Sequence, residues 1–238
     1  MKKKILILVT GSVLLFSCRK NNEMAAPLKP EAQCELQTAN PAETNYAQDS
    51  LVAYQCTSKL CGFIPMSSNN YWVYEDSVFE DGSFKQVTTD TLRFTSLYMS
   101  YPDKIVWWKS SINVGLPQIL YVNQSAFFSL EESFFPNKTL IAKKDYSFFS
   151  GDSIRYLTSF NDAAAIGRSI KLTAPVVINS GSYTNCLFFE KNARGFRRDQ
   201  VYFKPGIGVL KFRRDEAKMG QRIVMPKHIL TLKDYHIE

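Results

Sequence analysis

From residue 69 onward the chain alternates between apolar runs of strand length and clusters of turn residues, which predicts β-strands and not helices. Tyr71-Trp72-Val73-Tyr74 opens a run of strong β-formers that continues to Phe79. Glu80-Asp81-Gly82-Ser83 follows, and Asp-Gly between two such runs is a hairpin signal. The returning run, 84–99, suits one long strand or two short ones and stops at Tyr101-Pro102-Asp103. Further strands are expected over 104–109, 118–122, 126–130, 145–149, 153–160, 169–177, 183–190, 200–203, 207–212 and 228–235. Residues 162–168 are the one stretch that favours a helix, of a turn or two. Turn signals recur every ~8–12 residues. The expected fold class is all-β: an antiparallel sandwich or partly open barrel of about ten strands.

Aromatic doublets modify this picture. Tyr71-Trp72, Trp107-Trp108, Phe127-Phe128, Phe134-Phe135, Phe148-Phe149 and Phe188-Phe189 each place rings on both faces of a strand, because neighbouring residues point to opposite sides. A sheet with one wet face would alternate apolar with polar. Both faces are therefore covered somewhere, by core and loops or by a ligand in a curved sheet. Trp72, Trp107 and Trp108 are the candidate lining of an apolar site.

The first fifty residues follow different rules. Lys2, Lys3 and Lys4 precede an apolar run over 5–16, too short for a mature transmembrane helix and suited to a signal peptide. The run ends in Leu15-Phe16-Ser17-Cys18, which resembles the lipobox of Bacteroidetes-type lipoproteins. That resemblance implies removal of residues 1–17 and lipidation of Cys18. Residues 18–50, with Pro27, Pro30 and Pro41 and no sustained period, read as a flexible stalk. The single β-rich domain is expected over 51–238. Three segments within it resemble a loosely defined group of uncharacterised Bacteroidetes lipoproteins, in the same order: 71–77 with Asp81-Gly82, 181–187, and 202–211. The resemblance implies a β-rich extracytoplasmic domain and carries no activity. Lipidation implies anchorage at the outer membrane, and Arg19-Lys20-Asn21-Asn22-Glu23 after the cysteine favours the periplasmic face.

Composition adds little to the fold and something to the partners. The 238 residues are 45% hydrophobic and 21% charged, enough apolar material for a core. Formal charge is +7, of which the three leader lysines remove three on maturation. Residues 191–227 hold eleven basic and three acidic side chains, a local excess of +8. Arg197, Arg198, Arg213 and Arg214 are the candidate surface for an anionic partner. An extracytoplasmic location excludes nucleic acid as the partner.

Residues that could carry chemistry are few. Of five cysteines, Cys18 is assigned to lipid, and Cys34, Cys56 and Cys61 are candidates for a disulfide in an oxidising compartment. Cys186 lies in an apolar run and reads as buried. No Cys/His pair accompanies Cys56 and Cys61, so no metal site is expected. His228 and His236 are the only histidines, and no Ser–His–Asp set or phosphate-binding glycine motif is evident. Asp49-Ser50-Leu51, Asp76-Ser77-Val78, Asp90-Thr91-Leu92 and Asp152-Ser153-Ile154 resemble the O-glycosylation acceptor of Bacteroidetes extracytoplasmic proteins, which makes Ser50, Ser77, Thr91 and Ser153 candidates. The function expected is non-catalytic and needs no cofactor: a lipid-anchored envelope protein that binds an apolar or amphipathic ligand. The alternative is a structural or protein-interaction lipoprotein using its basic C-terminal face, with no small ligand.

Overall fold

The computed structural model describes residues 41, 45–46, 51–53, 63–100, 104–132, 140–148, 151–160, 163–218 and 224–238. All lie in the compact unit Ala32–Glu238; the other unit, Met1–Glu31, is outside the described residues. So are the leader, Cys18, Cys34, Cys56, Cys61, Ser50 and the doublet Phe134-Phe135.

Every regular element among the described residues is a strand. Two short ones come first, β1 (Asn45–Tyr46) and β2 (Leu51–Ala53). A six-strand meander follows: β3 (Tyr71–Glu80), β4 (Ser83–Ser100), β5 (Ile105–Ser110), β6 (Ile119–Val122), β7 (Ala126–Glu132) and β8 (Leu140–Ser147). Then come β9 (Ser153–Phe160), β10 (Ala163–Lys171) and a small hairpin, β11 (Val176–Ile178) with β12 (Gly181–Tyr183). The chain ends in β13 (Leu187–Ala193), β14 (Arg197–Lys204), β15 (Gly208–Ala217) and β16 (Val224–His236).

Successive strands pair antiparallel within β3–β8 and within a second meander of β9, β10, β13, β14, β15 and β16, and β16 pairs with β3, so the first and last long strands join the two meanders into one sheet. That sheet curls until its two ends, β8 and β9, lie side by side without a ladder between them. The result is an all-β, nearly closed barrel of twelve long strands with a seam at β8/β9. Asp81 and Gly82 both have positive φ, 52° and 80°, as the two-residue hairpin turn between β3 and β4 requires. β4 is one strand, not two: its first part pairs with β3 and its last seven residues with β5.

Residues 163–168 correct the helix expectation. Their alanines favour a helix, yet they form β10 between β9 and β13, with Ala165, Gly167 and Ser169 turned inward. Local propensity of a few tenths of a kcal/mol per residue loses to two ladders of hydrogen bonds and burial of one face.

The interior is filled. Trp72, Tyr74, Leu92 and Phe94 from β3 and β4 meet Trp108, Leu120, Phe127 and Tyr146 from β5–β8, and Phe189, Val201, Phe203 and Phe212 from β13–β15. Phe127 packs edge-on against Phe203 and Phe189, with ring centroids 5.4 and 6.0 Å apart, so opposite walls touch. Two of the buried polar tips find backbone acceptors: Trp72 Nε1 donates to Ile207 O at 2.7 Å and Tyr74 OH to Val209 O at 2.8 Å. Burial holds the Tyr74 and Tyr146 phenols well above their ordinary pKa, so both remain donors. A second cluster, built on Trp107, Tyr121, Phe128 and Leu130, occupies the opposite face of β5–β7. Both faces of that wall are therefore covered, as the doublets predict.

The β5–β6 connection, residues 111–118, dips into the barrel. Val114 and Leu116 are buried, and Tyr146 OH donates to Gly115 O at 2.7 Å. Gly115 has φ +84°, and a Cβ there would stand 2.5 Å from Val201 Cγ2 and Phe212 Cδ2. Gly206 has a similar φ, +81°, with nothing within 4 Å of its Cβ position. Gly206→Ala should therefore cost about 1 kcal/mol from backbone strain alone. Gly115→Ala adds a clash with two core side chains and should cost about 3 kcal/mol. Urea midpoints of the two variants check this; equal losses would contradict the plug.

Candidate functional site

Register places the sequence-nominated residues before any site is sought. Trp72 and Trp108 stand in the core inside the barrel, and Trp107 in the cluster on the other face. All three are fully buried, and none lines the cleft described below. Ser77 is half-buried in β3, whereas Thr91 in β4 and Ser153 at the start of β9 are exposed. Cys186 is a free, buried thiol whose Sγ donates to Tyr183 O at 3.2 Å, and burial raises its pKa. Among the described residues no group of three His, Cys, Asp or Glu side chains is placed to hold a metal ion.

The four arginines have partners of their own. Arg197 bonds Asp199 through Nε and Nη2, at 2.9 and 2.5 Å, and Arg214 Nε reaches the same carboxylate at 3.4 Å. Arg198 and Arg213 converge on Asp215, which is wholly buried. Cross-strand pairing produces this, since Arg214 stands opposite Asp199 and Arg198 opposite Asp215. Sequence reading missed it because the compensating acids sit on neighbouring strands or two residues along. Each of the four arginines thus has a carboxylate partner, while the net basic excess of 191–227 is offset from outside the stretch only by Asp145 and Asp81 among the described residues.

Inside, that same register builds a belt of charge. Lys191 and Asp199 occupy the inward positions of β13 and β14, beside Phe189 and Val201. Lys191 crosses the seam to Asp145 of β8, and both side chains are about nine-tenths buried. Its ammonium also lies over the Tyr146 and Phe160 rings, at 5.3 and 5.2 Å. Burial lifts Asp145 above the ordinary carboxylate range despite the opposing pull of Lys191. Desolvation acts against the Arg197 charge, and Asp199 more than offsets it, so the Arg197 pKa lies above the usual guanidinium value. Next along the belt His228 Nδ1 meets Asp76 Oδ2 at 2.9 Å. These contacts are internal, and they hold the wall together rather than present a reactive group.

At the other end the interior opens into a cleft of about 330 Å³. The pairs Ser169↔Phe189 and Lys171↔Leu187 put a polar column on β10 beside an apolar column on β13, all on the inward face. Ser147 and Phe148, at the end of β8, form the facing side. Phe63 stacks on Phe148 with centroids 3.9 Å apart, and its carbonyl accepts from Gly206 N–H at 3.0 Å, which fixes the segment before β3 over the opening. Tyr156 OH shares a 3.3 Å contact with Ser169 Oγ, and its pKa is pushed up to about 12, chiefly by burial. The β11–β12 hairpin reaches across this end, where Ser180 Oγ donates to Leu232 O at 3.0 Å. An apolar floor with a few convergent polar groups is the arrangement of a small-molecule site. None of the lining residues was nominated from the sequence; the Phe188-Phe189 doublet signalled covered faces only, and Lys171, Ser169, Leu187 and Phe63 carried no signal until the fold brought them together.

No protein family, curated protein or solved structure matches the chain.

The seam pair offers a test of the belt. Lys191→Met removes the ammonium and leaves a buried carboxyl without its counter-charge, which should cost about 3–5 kcal/mol near neutral pH. An acid whose folded-state pKa is raised destabilises the fold as pH climbs from the ordinary aspartate value through the folded one. The deficit should therefore shrink as pH falls towards about 4. Adding Asp145→Leu should recover most of it at neutral pH. Urea midpoints at the two pH values decide; a double variant no better than the single one would contradict the pairing.

Proposed function

We propose that this chain is a lipid-anchored binding protein of the bacterial envelope that holds a small amphipathic molecule in the cleft at the barrel end. The cleft carries the reading. Its volume of about 330 Å³ falls at the lower end of the ~300–1,000 Å³ of small-ligand sites. Its lining joins three phenylalanines and Leu187 to the side chains of Ser147, Ser169, Asn185 and Lys171. The role is non-catalytic in this reading, with the hydroxyls of Ser147 and Ser169 and the ammonium of Lys171 serving to orient a ligand's polar end. The lipobox-like Leu15-Phe16-Ser17-Cys18 supports anchorage at the outer membrane, and the basic residues that follow support the periplasmic face. The alternative of a protein-interaction lipoprotein with a basic docking face has less support, because Arg197, Arg198, Arg213 and Arg214 each pair with a buried aspartate.

A neutral fluorescent probe tests the cleft. N-phenyl-1-naphthylamine should bind the purified chain saturably and be displaced by a single-chain amphiphile. Leu187→Trp adds bulk to the lining and should weaken probe binding by about tenfold or more, some 1.4 kcal/mol. Non-saturable binding, or equal affinity in the variant, would remove the cleft as the site.

A further inference from the structure

This inference rests on the cleft reading and goes further, to the chemical class of the ligand. Among the described residues Lys171 is the only charged side chain in the lining. It ends β10 on the inward face, two residues beyond Ser169, and it is exposed where Ser169 is buried. The cleft is therefore graded: phenyl rings and a hydroxyl lie deep, and a cation stands at the mouth.

The Lys171 ammonium has no carboxylate partner among the described residues. Its backbone N–H donates to Asp152 O at 2.8 Å, and no ion pair joins the two side chains. Lys85, Lys143, Lys191 and Lys218 each bond a carboxylate; what sets Lys171 apart from the other lysines is its place in the cleft lining. A cation left free beside an apolar floor complements a molecule with one apolar tail and an anionic head. The volume holds a single short tail and not two acyl chains.

We infer that the ligand is a single-tailed anionic amphiphile, its tail on Phe148, Phe189 and Leu187 and its head on Lys171. Carboxylate, sulfate and phosphate monoester heads share the chemistry that Lys171 reads. Lys171 is thus the residue that determines specificity for charge.

The test uses the full chain carrying Cys18→Ser and purified without detergent, so that neither an attached acyl chain nor detergent competes for the cleft. Decanoate, decan-1-ol and decyltrimethylammonium have equal tails and different heads. Decanoate should displace the neutral probe with at least about tenfold higher affinity than the other two. Lys171→Gln should bring decanoate to within about twofold of decan-1-ol while leaving decan-1-ol unchanged. Lys171→Glu should turn the preference towards decyltrimethylammonium. Lys171 is exposed, so the variants should keep the far-ultraviolet spectrum and urea midpoint of the parent. Equal binding of the three amphiphiles by the parent, or a decanoate preference that survives Lys171→Gln, would overturn the inference and leave the cleft intact. Failure of all three to bind would remove the cleft reading itself, and this inference with it. Decyl sulfate and decyl phosphate, run beside decanoate, then rank the anionic heads.

Discussion

A sheet of twelve long strands curled on itself encloses more space than lining side chains can fill, and the rest of this structure is an answer to that constraint. A barrel of about eight strands is just wide enough to be packed by its own residues. Here three further devices close the gap. Large rings, above all Trp72, Trp108, Phe127, Phe189 and Phe203, reach from opposite walls and touch. The β5–β6 connection enters the interior and seats Gly115 against Val201 and Phe212. A belt of charge occupies inward positions where the rings stop. The cleft is the space that these devices leave at one end.

The seam follows from the same geometry. Eleven of the twelve neighbouring strand contacts around the barrel are hydrogen-bonded ladders, and the β8/β9 contact is not. What bridges it is side-chain chemistry: the Lys191–Asp145 pair from inside, and Thr158 Oγ1 donating to Asp145 O at 3.5 Å. A buried ion pair adds little net stability over an apolar pair of the same shape, but breaking it on one side is costly. Its effect here is to fix the position of β8 against the β9–β13 wall. Ser147 at the end of β8 and Phe148 just beyond it lie two and three residues after Asp145, so the seam pair also sets one side of the cleft.

Much of the fold was legible in the sequence. Alternation and turn residues place most strands, and Asp81-Gly82 places the first hairpin because only residues tolerant of positive φ fit there. The doublets gave covered faces: Trp107 and Trp108 are neighbours in sequence and lie in different clusters. The helix expected over 162–168 failed because strand formation there depends on β9 and β13, which a local window does not contain. The candidate site was scarcely legible. Tryptophans looked like ligand lining, and instead serve the core, because the enclosed space needs the largest side chains. The arginines nominated as a docking face each have an aspartate partner, across a ladder for Arg198 and Arg214 and two residues along the strand for Arg197 and Arg213, which the linear charge count does not reveal. Lys171 is an ordinary strand lysine until pairing with Leu187 sets it at the mouth of a cleft. In each case the missing information is register, which two-residue periodicity fixes to a face and not to a partner.

The central claim is that the cleft walled by Phe148, Phe189 and Leu187 takes a small amphiphile. A native mass spectrum of the full chain with Cys18→Ser, exported to an oxidising periplasm and purified without detergent, tests it most directly. The account predicts a single added mass, the size of one small amphiphile, that disappears on denaturation. A chain that carries no such mass, and that acquires none when amphiphiles are supplied, would contradict it.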